Sequence, residues 1–159
     1  MDIEDLVNTA ELVLEGRVIM SRTLRDAEGM IVTDYEVEVQ RTFLGEHRDR
    51  RSVRLPGGVL ETGEGLMIPG LPPMNPGEDV ILALSAAGST GVRLTTGLTQ
   101  GKFKIMMGTS GLPVAVRDGS GSTLVTPQGI FDEGGIEVMP YAELVARIQA
   151  AARVDAEGR

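Results

Sequence analysis

The sequence predicts an all-β domain with a helix at each end, built as a small OB-like or Greek-key barrel of about seven strands. Three observations support this prediction. Apolar and polar residues alternate through many short segments, which is typical of half-buried strands. Turn-forming residues recur between those segments, with 21 Gly and 8 Pro in 159 residues. Apolar residues at helical spacing are confined to the two ends of the chain.

The first two elements are a short helix and a strand. Residues 2–10 predict the helix, because their apolar side chains recur every three or four positions, and carboxylates lie in the first turn, where the helix dipole favours negative charge. The period then changes to two between Leu12 and Met20. This pattern predicts a half-buried strand in which Gly16 marks a bend or a bulge. A turn is expected at residues 26–29.

The second strand has the clearest alternation in the chain, over residues 31–40. Its apolar residues, with Thr33, face one way, and its carboxylates face the other. A third strand is predicted at residues 52–55, with Val53 and Leu55 pointing inward, and it ends at Pro56-Gly57-Gly58. These elements predict a long antiparallel arrangement with one face open to water.

A long segment rich in proline and glycine follows, at residues 59–79. Loops longer than about 15 residues are uncommon inside compact domains and are usually functional or mobile. Its apolar residues predict either a plug that folds back into the barrel, which we favour, or an exposed surface that binds a partner. These residues are Leu66, Met67, Ile68, Leu71 and Met74.

The second half of the chain predicts further short strands. Residues 80–84 are apolar at every position, so this strand is expected to be covered on both faces. Shorter alternating segments predict strands in three more places. These are residues 92–98, residues 102–105, and a hairpin of residues 112–116 and 122–125 around a turn at 118–121.

The chain ends with an amphipathic helix, predicted over residues 140–153. Pro140 suits the first helical position, where its missing N–H costs nothing. Residues 154–159 are expected to be a frayed tail. Because no internal repeat or second domain is evident, residues 1–153 predict a single domain.

Composition excludes several classes of function. There is no cysteine, which rules out disulfides, thiolate metal sites and cysteine nucleophiles, and His47 is the only histidine. We therefore expect no metal and no cofactor. No apolar run approaches the ~20 residues of a membrane span. No signal peptide is evident, so we expect either a cytoplasmic protein or a chain that starts after a removed leader.

Charge argues against general nucleic-acid binding, because the net charge is −8 and phosphate contacts need clustered Lys and Arg. Basic residues do concentrate in one stretch, which comprises Arg41, His47, Arg48, Arg50, Arg51 and Arg54. This stretch is either an anion or partner patch, or a solvated hairpin end partly neutralised by Glu46 and Asp49. An oligonucleotide-binding barrel that uses residues 48–54 is one alternative function.

Candidate catalytic groups are sparse. Asp34, Glu36 and Glu38 project from one strand face about 7 Å apart, a spacing that could hold a hard cation or a hydrolytic carboxylate pair. The simpler interpretation, which we favour, is a solvent face opposite cross-strand arginines such as Arg17. A small metal-assisted hydrolase on this face is a second alternative. His47 lies in a charged turn segment, which does not suit a Ser–His–Asp triad.

Several segments together resemble an uncharacterised bacterial export-associated domain. In order along the chain they are residues 10–18 (AELVLEGRV), 35–39 with 43–45 (YEVEV, FLG), 53–58 (VRLPGG), 72–80 (PPMNPGEDV) and 97–103 (GLTQGKF), of which the last is the most specific. The resemblance covers residues 3–150. The first half is also similar to the OB-type barrels of netrin-like modules and tissue metalloprotease inhibitors. Those inhibitors chelate zinc through an N-terminal cysteine, a residue type that this chain lacks.

The resemblance implies an exported accessory domain without catalytic activity. We therefore expect a periplasmic or secreted binding module that engages a protein or cell-surface partner through the 59–79 loop and the barrel rim. We expect no nucleic-acid partner and no membrane span, and the oligomeric state stays open. The candidate partner-binding residues are Leu66, Met67, Ile68, Leu71, Met74, Arg48 and Arg51.

Overall fold

The computed structural model describes residues 2–71, 73–118, 123–126, 129–132 and 136–158. Within these residues the protein is mostly β, with a helix near each end, so this part of the predicted fold class is confirmed. No helix in the described part of the chain is long and apolar enough to cross a membrane.

The helices and strands follow one another with short connections except at residues 67–78 and 85–97. In chain order the described elements are α1 (Ile3–Thr9), β1 (Leu12–Arg25), β2 (Ile31–Leu44), β3 (Arg50–Pro56), β4 (Gly58–Val59), β5 (Gly65–Leu66), β6 (Asp79–Leu84), β7 (Lys102–Met107), β8 (Pro113–Asp118), β9 (Thr123–Thr126), β10 (Gly129–Asp132), β11 (Ile136–Pro140) and α2 (Tyr141–Gly158). A 3-10 turn, Leu98–Gly101, precedes β7.

Seven strands form one sheet in the order β11-β8-β7-β6-β1-β2-β3, with β4–β5 and β9–β10 as two separate pairs. Every neighbouring pair is antiparallel. Strands β3 and β11 are the edges of this sheet. The first half of the chain therefore supplies one edge and the second half supplies the other.

The hairpin of β1 and β2 confirms the predicted bulge at Gly16. The pairing register shifts between Glu15 and Gly16, and Gly16 then lies opposite Val39. A Cβ atom on Gly16 would lie 2.5 Å from the carbonyl oxygen of Glu38 and 2.6 Å from a methyl carbon of Val37. Only glycine lets the two strands approach this closely.

Strands β1 and β6 lie side by side in the middle of the sheet and form a wall between two apolar cores. The first, which we call the strand core, comprises Leu12, Leu14, Val18, Tyr35, Val37, Val39, Val53, Leu55, Met74, Val80, Leu82 and Leu84. The second, the helix core, comprises Ile3, Leu6, Val7, Ala10, Val13, Ile81, Ala83, Phe103, Ala115, Leu144, Val145, Ile148 and Ala151. Because side chains alternate along a strand, β1 and β6 supply both cores, and the predicted two-sided burial of residues 80–84 is confirmed.

The two helices pack against each other on one face of the sheet. The side chain of Asp2 caps α1 by accepting a hydrogen bond from the backbone N–H of Asp5 at 2.8 Å. Arg147 on α2 donates to both carboxylate oxygens of Glu4, at 3.2 and 2.9 Å. The hydroxyl of Tyr141 lies 2.7 and 2.8 Å from the carboxylate oxygens of buried Glu15. These contacts fix α2 against β1.

Two predicted boundaries of the C-terminal helix are wrong. Pro140 is the last residue of β11, so the helix begins at Tyr141, one residue later than predicted. The helix also continues to Gly158 rather than ending at residue 153. The backbone of residues 154–158 is therefore helical, where the sequence predicted a frayed tail.

The strand pairing of the second half also differs from the prediction. The predicted hairpin of residues 112–116 and 122–125 is wrong, because β8 pairs with β7 and β11, whereas β9 pairs with β10. Strand β11 was not predicted; its Ile136 and Val138 form a very short alternating pattern. Of the predicted turn at 118–121, residues 119–121 lie outside the described residues.

Residues 92–98 form single β-bridges at Val92 and Thr95 instead of the predicted strand. The N–H of Arg93 donates to the carbonyl of Arg54 at 2.9 Å, and the N–H of Ser85 donates to the carbonyl of Leu94 at 2.8 Å. Residues 85–96 therefore link the outer edge of β3 to the end of β6. Among the described residues, β3 and β11 do not pair with each other.

We predict that Gly16→Ala lowers the free energy of unfolding by about 1–3 kcal/mol, because the added methyl group overpacks the crossing of β1 and β2. Urea denaturation measures this change. Gly88→Ala is the matched control, since its Cβ would lie no closer than 3.7 Å to a neighbouring atom, and its effect is expected to stay within about 0.5 kcal/mol. Equal effects of the two substitutions would contradict the prediction.

Candidate binding site at the edge of the sheet

An apolar cleft of about 320 Å³ lies between the end of β3 and the loop that follows it. Tyr35 and Leu55 contribute the sheet side of the cleft. The loop side brings together four of the residues that the sequence singled out, namely Leu66, Met67, Ile68 and Leu71. These four residues therefore share one concave surface.

The chain leaves β3 sharply, and this turn forms one wall of the cleft. The N–H of Gly57 donates to the carbonyl of Ile31 at 2.9 Å, and the hydroxyl of Thr33 donates to the carbonyl of Gly57 at 2.7 Å. Gly58 has a φ of 131°, and a Cβ there would lie 2.3 Å from the Thr33 hydroxyl oxygen. Glycine is thus required for the chain to turn here and form β4 and β5.

The end of the loop is anchored in the strand core. Met74 is only 3% exposed, and its N–H donates to the hydroxyl oxygen of Tyr35 at 3.2 Å. Leu71 packs against the same core. Burial raises the pKa of Tyr35 above its ordinary value. Met74 therefore fills the core as a plug would, and it offers no surface to a partner, in contrast to its predicted role.

The opposite lip of the cleft is open to solvent. Met67 is 89% exposed, whereas Leu66 and Ile68 are half-buried. Methionine is flexible and polarizable, which suits a surface that adapts to the shape of a ligand. Two carboxylates, of Glu61 and Glu64, lie in the turn between β4 and β5, and Glu64 pairs with Arg25.

The predicted basic stretch lies elsewhere and is not a single patch. Arg54 donates to both carboxylate oxygens of Asp34, at 2.7 and 2.9 Å. This hydrogen-bonded ion pair raises the pKa of Arg54. Arg41 lies over the ring of Phe43 and 3.9 Å from the carboxylate of Glu15. Both arginines thus have partners within the fold.

Arg48 and Arg51 lie at the other end of β3 and meet at Glu46. Arg48 pairs with the Glu46 carboxylate at 3.2 Å, and Arg51 donates to the Glu46 carbonyl. The structure adds Arg93, whose charge acts on Arg51 and whose guanidinium donates to the carbonyl of Ser85 at 2.8 Å. We call these three residues the arginine cluster. No local sequence pattern pointed to Arg93, because it reaches Arg51 through residues 85–96, which link the end of β6 to β3.

The carboxylates of β2 do not form a metal site. Arg54 engages both oxygens of Asp34, while Glu36 and Glu38 lie opposite Ser52 and Arg50 of β3. Among the described residues, no three Asp, Glu or His side chains come together to share a metal ion. The predicted cross-strand partner Arg17 does lie directly opposite Glu38 in the pairing of β1 with β2, and its guanidinium also donates to Asp79, at 2.9 and 3.1 Å. The hydrolase alternative therefore gains no support from this geometry.

His47 links a side chain of β2 to one of the turn between β2 and β3. Its Nδ1 lies 2.8 Å from the Thr42 hydroxyl, and its Nε2 lies 3.1 Å from the Asp49 carboxylate. Although this order of groups resembles that of a catalytic triad, the imidazole and the carboxylate are both exposed. These hydrogen bonds tie the end of β2 to the start of the turn that leads to β3.

Comparison with known proteins adds no assignment. No model of a protein family matches the chain, and a search of curated proteins found no significant match. What the protein binds is therefore inferred from the cleft and from the arginine cluster.

The two tyrosines predict a measurable alkaline shift. Burial raises the pKa of Tyr35, and burial together with the Glu15 carboxylate raises the pKa of Tyr141. Because the folded state holds both phenol protons more tightly, stability is retained below the ordinary pKa of about 10 and is lost as the pH rises through the folded-state values.

We expect the phenolate absorbance of the folded protein to titrate at higher pH than that of the protein in urea. The near-ultraviolet absorbance change reports tyrosine ionisation without interference from tryptophan, because the chain has two Tyr and no Trp. Tyr35→Phe is expected to remove the contribution of the cleft tyrosine alone. Identical titration midpoints with and without urea would contradict the assignment of buried, proton-retaining hydroxyls.

Proposed function

We propose that the protein is a non-catalytic binding module whose cleft holds an apolar segment of a protein partner. The observation that carries this proposal is the cleft itself, where half-buried Leu66 and Ile68 and exposed Met67 surround an apolar floor. Contiguous exposed apolar surface of this kind marks interaction sites in soluble proteins.

The size and lining of the cleft favour an apolar side chain over a polar substrate. A volume of about 320 Å³ is at the small end of ligand pockets, and it suits one or two aliphatic or aromatic side chains. Tyr35 brings the only side-chain hydroxyl among the described lining residues, and this oxygen already accepts a hydrogen bond from Met74. Catalysis requires several convergent polar groups, so a single hydroxyl among the described lining residues favours binding over catalysis.

Charge indicates what should flank the apolar segment. Glu61 and Glu64 lie in the turn between β4 and β5, and both of these strands contribute residues to the cleft. Glu64 pairs with Arg25, and the whole chain carries a net charge of −8. An acidic surface attracts basic partners and repels acidic ones. We therefore propose an apolar residue next to Lys or Arg as the recognised feature.

We further propose that the first half of the chain is an OB-like barrel, in which residues 92–95 close the gap between β3 and β6. The bridges Arg54–Val92 and Leu84–Thr95 support this closure. So does the strand core, whose side chains come from β1, β2, β3 and β6. The cleft would then lie at the rim of the barrel. Location outside the cytoplasm stays a prediction that rests on the resemblance to export-associated domains.

The direct test is an array of octapeptides in which one large apolar residue is flanked either by Lys and Arg or by Asp and Glu. We expect the wild-type protein to bind the basic set and not the acidic set. Met67→Asp should weaken the binding at least tenfold, about 1.4 kcal/mol, because it places a charge at the apolar lip. Fluorescence titration of the best peptide measures the affinity.

The matched control is Met107→Asp, since Met107 is 70% exposed at the end of β7, outside the lining of the cleft. Its affinity for the peptide is expected to equal that of the wild type. Equal loss in both variants, or binding of the acidic peptides in preference to the basic ones, would overturn the proposed function.

A further inference from the structure

The arginine cluster concentrates positive charge in an acidic protein. Arg51 shares one face of β3 with Val53 and Leu55, which are buried in the strand core. Its half-buried side chain therefore continues this apolar row toward the end of the strand, about 13 Å from Leu55 along β3. Arg48 and Arg93 lie close enough to act on its charge.

The cluster is only partly neutralised. Glu46 is the one carboxylate among the charged groups that act on Arg51, against the two arginines Arg48 and Arg93. Counted over Arg51 and the groups that act on it, three guanidinium charges and one carboxylate leave a local charge of +2 at Arg51. Burial, followed by the positive charges of Arg48 and Arg93, lowers the pKa of Arg51, so an added anion would stabilise its charged form.

The guanidinium of Arg51 also has an unmet hydrogen-bonding requirement. Its Nε is buried and has no hydrogen-bond partner among the described residues, although a buried donor without a partner costs free energy. Two of the three arginines are held in place. Arg51 donates to the Glu46 carbonyl, and Arg93 donates to the Ser85 carbonyl. Arg48 has a largely exposed side chain, so it can move aside to admit a ligand.

We propose that Arg48, Arg51 and Arg93 form a binding site for the dianionic phosphate group of a small phosphate monoester. The site is separate from the apolar cleft and does not depend on it. The local charge of +2 matches a phosphate monoester, which carries nearly two negative charges near neutral pH. Guanidinium groups bind phosphate oxygens through paired, charge-assisted hydrogen bonds.

The link between β3 and residues 85–96 explains how the site is assembled. Arg54 holds this segment twice, through its carbonyl to the N–H of Arg93 at 2.9 Å and through its guanidinium to the carbonyl of Thr90 at 3.0 Å. Arg93 is thereby fixed near Arg51, despite more than forty intervening residues along the chain. The alternative interpretation of the basic stretch, a solvated hairpin end, does not require residues 85–96 to be held against β3.

The test is titration of the full chain with inorganic phosphate, a simple sugar phosphate and sulfate at low ionic strength, followed by NMR at the amides of Glu46 and Arg93. We expect saturable shifts with the wild type. Arg51→Gln and Arg93→Gln should each weaken phosphate binding at least tenfold, because each removes a charged donor. Arg50→Gln is the matched control, since it removes the same charge from an exposed neighbour on β3, and it should change the affinity less than twofold.

A second arm varies the pH. Phosphate monoesters lose their second charge below a pH of about 6, whereas sulfate stays dianionic. We expect sugar phosphate binding to weaken several-fold on acidification while sulfate binding stays constant. The spectra also report whether each variant is folded. Arg51→Lys gives a second substitution at the same position, since it keeps the positive charge but lacks the planar guanidinium.

Three results would overturn the site. The first is the absence of a saturable shift with phosphate, and the second is an equal loss in Arg50→Gln, which would indicate general screening. The third is an affinity for sugar phosphate that does not change with pH. Binding of the octapeptides at the cleft is expected to be unaffected by Arg51→Gln, so failure of the phosphate site is distinguishable from failure of the proposed peptide-binding function.

Discussion

The pairing of β1 with β6 determines how the other elements are arranged, because this pair must bury both of its faces at once. Leu14 and Leu82 point into the strand core, while Val13 and Ile81 point into the helix core. A sheet covered on one face would leave one of these apolar rows in water, at a cost of roughly 1.5–3 kcal/mol for each large side chain. Both the helices, on one side, and the apolar residues of β2 and β3, on the other, are therefore required to cover the same two strands.

This constraint places the candidate binding surfaces at the edge of the sheet. Segments 57–74 and 85–96 leave the sheet and return to it through a few anchors, chiefly the hydroxyl of Tyr35 and the side chain of Arg54. Between these anchors, side chains such as Met67 are free to meet a ligand. The anchors fix where the cleft and the arginine cluster lie, and the cores keep the anchors rigid.

Local patterns predicted the features that depend on local chemistry. Alternation predicted β2, the apolar run predicted the two-sided burial of β6, and a glycine inside a strand pattern predicted the bulge at Gly16. The apolar loop residues were also found at the cleft, apart from Met74, whose burial follows from its contact with Tyr35. Partners that are distant in sequence could not be predicted. Arg93 reaches Arg51 only through the link that residues 85–96 make between β6 and β3, and β8 pairs with β11 while β9 pairs with β10.

Native-state hydrogen exchange across low concentrations of denaturant measures whether β1 and β6 form the most stable part of the fold. We expect the amides of Leu14 and Leu82 to exchange only through global unfolding, and those of Met67 and Ile68 to exchange through local opening that depends little on denaturant. The wall between the cores would then be the last part of the protein to open. Exchange of Leu14 and Leu82 through local opening, at the same free energy as Met67, would contradict it.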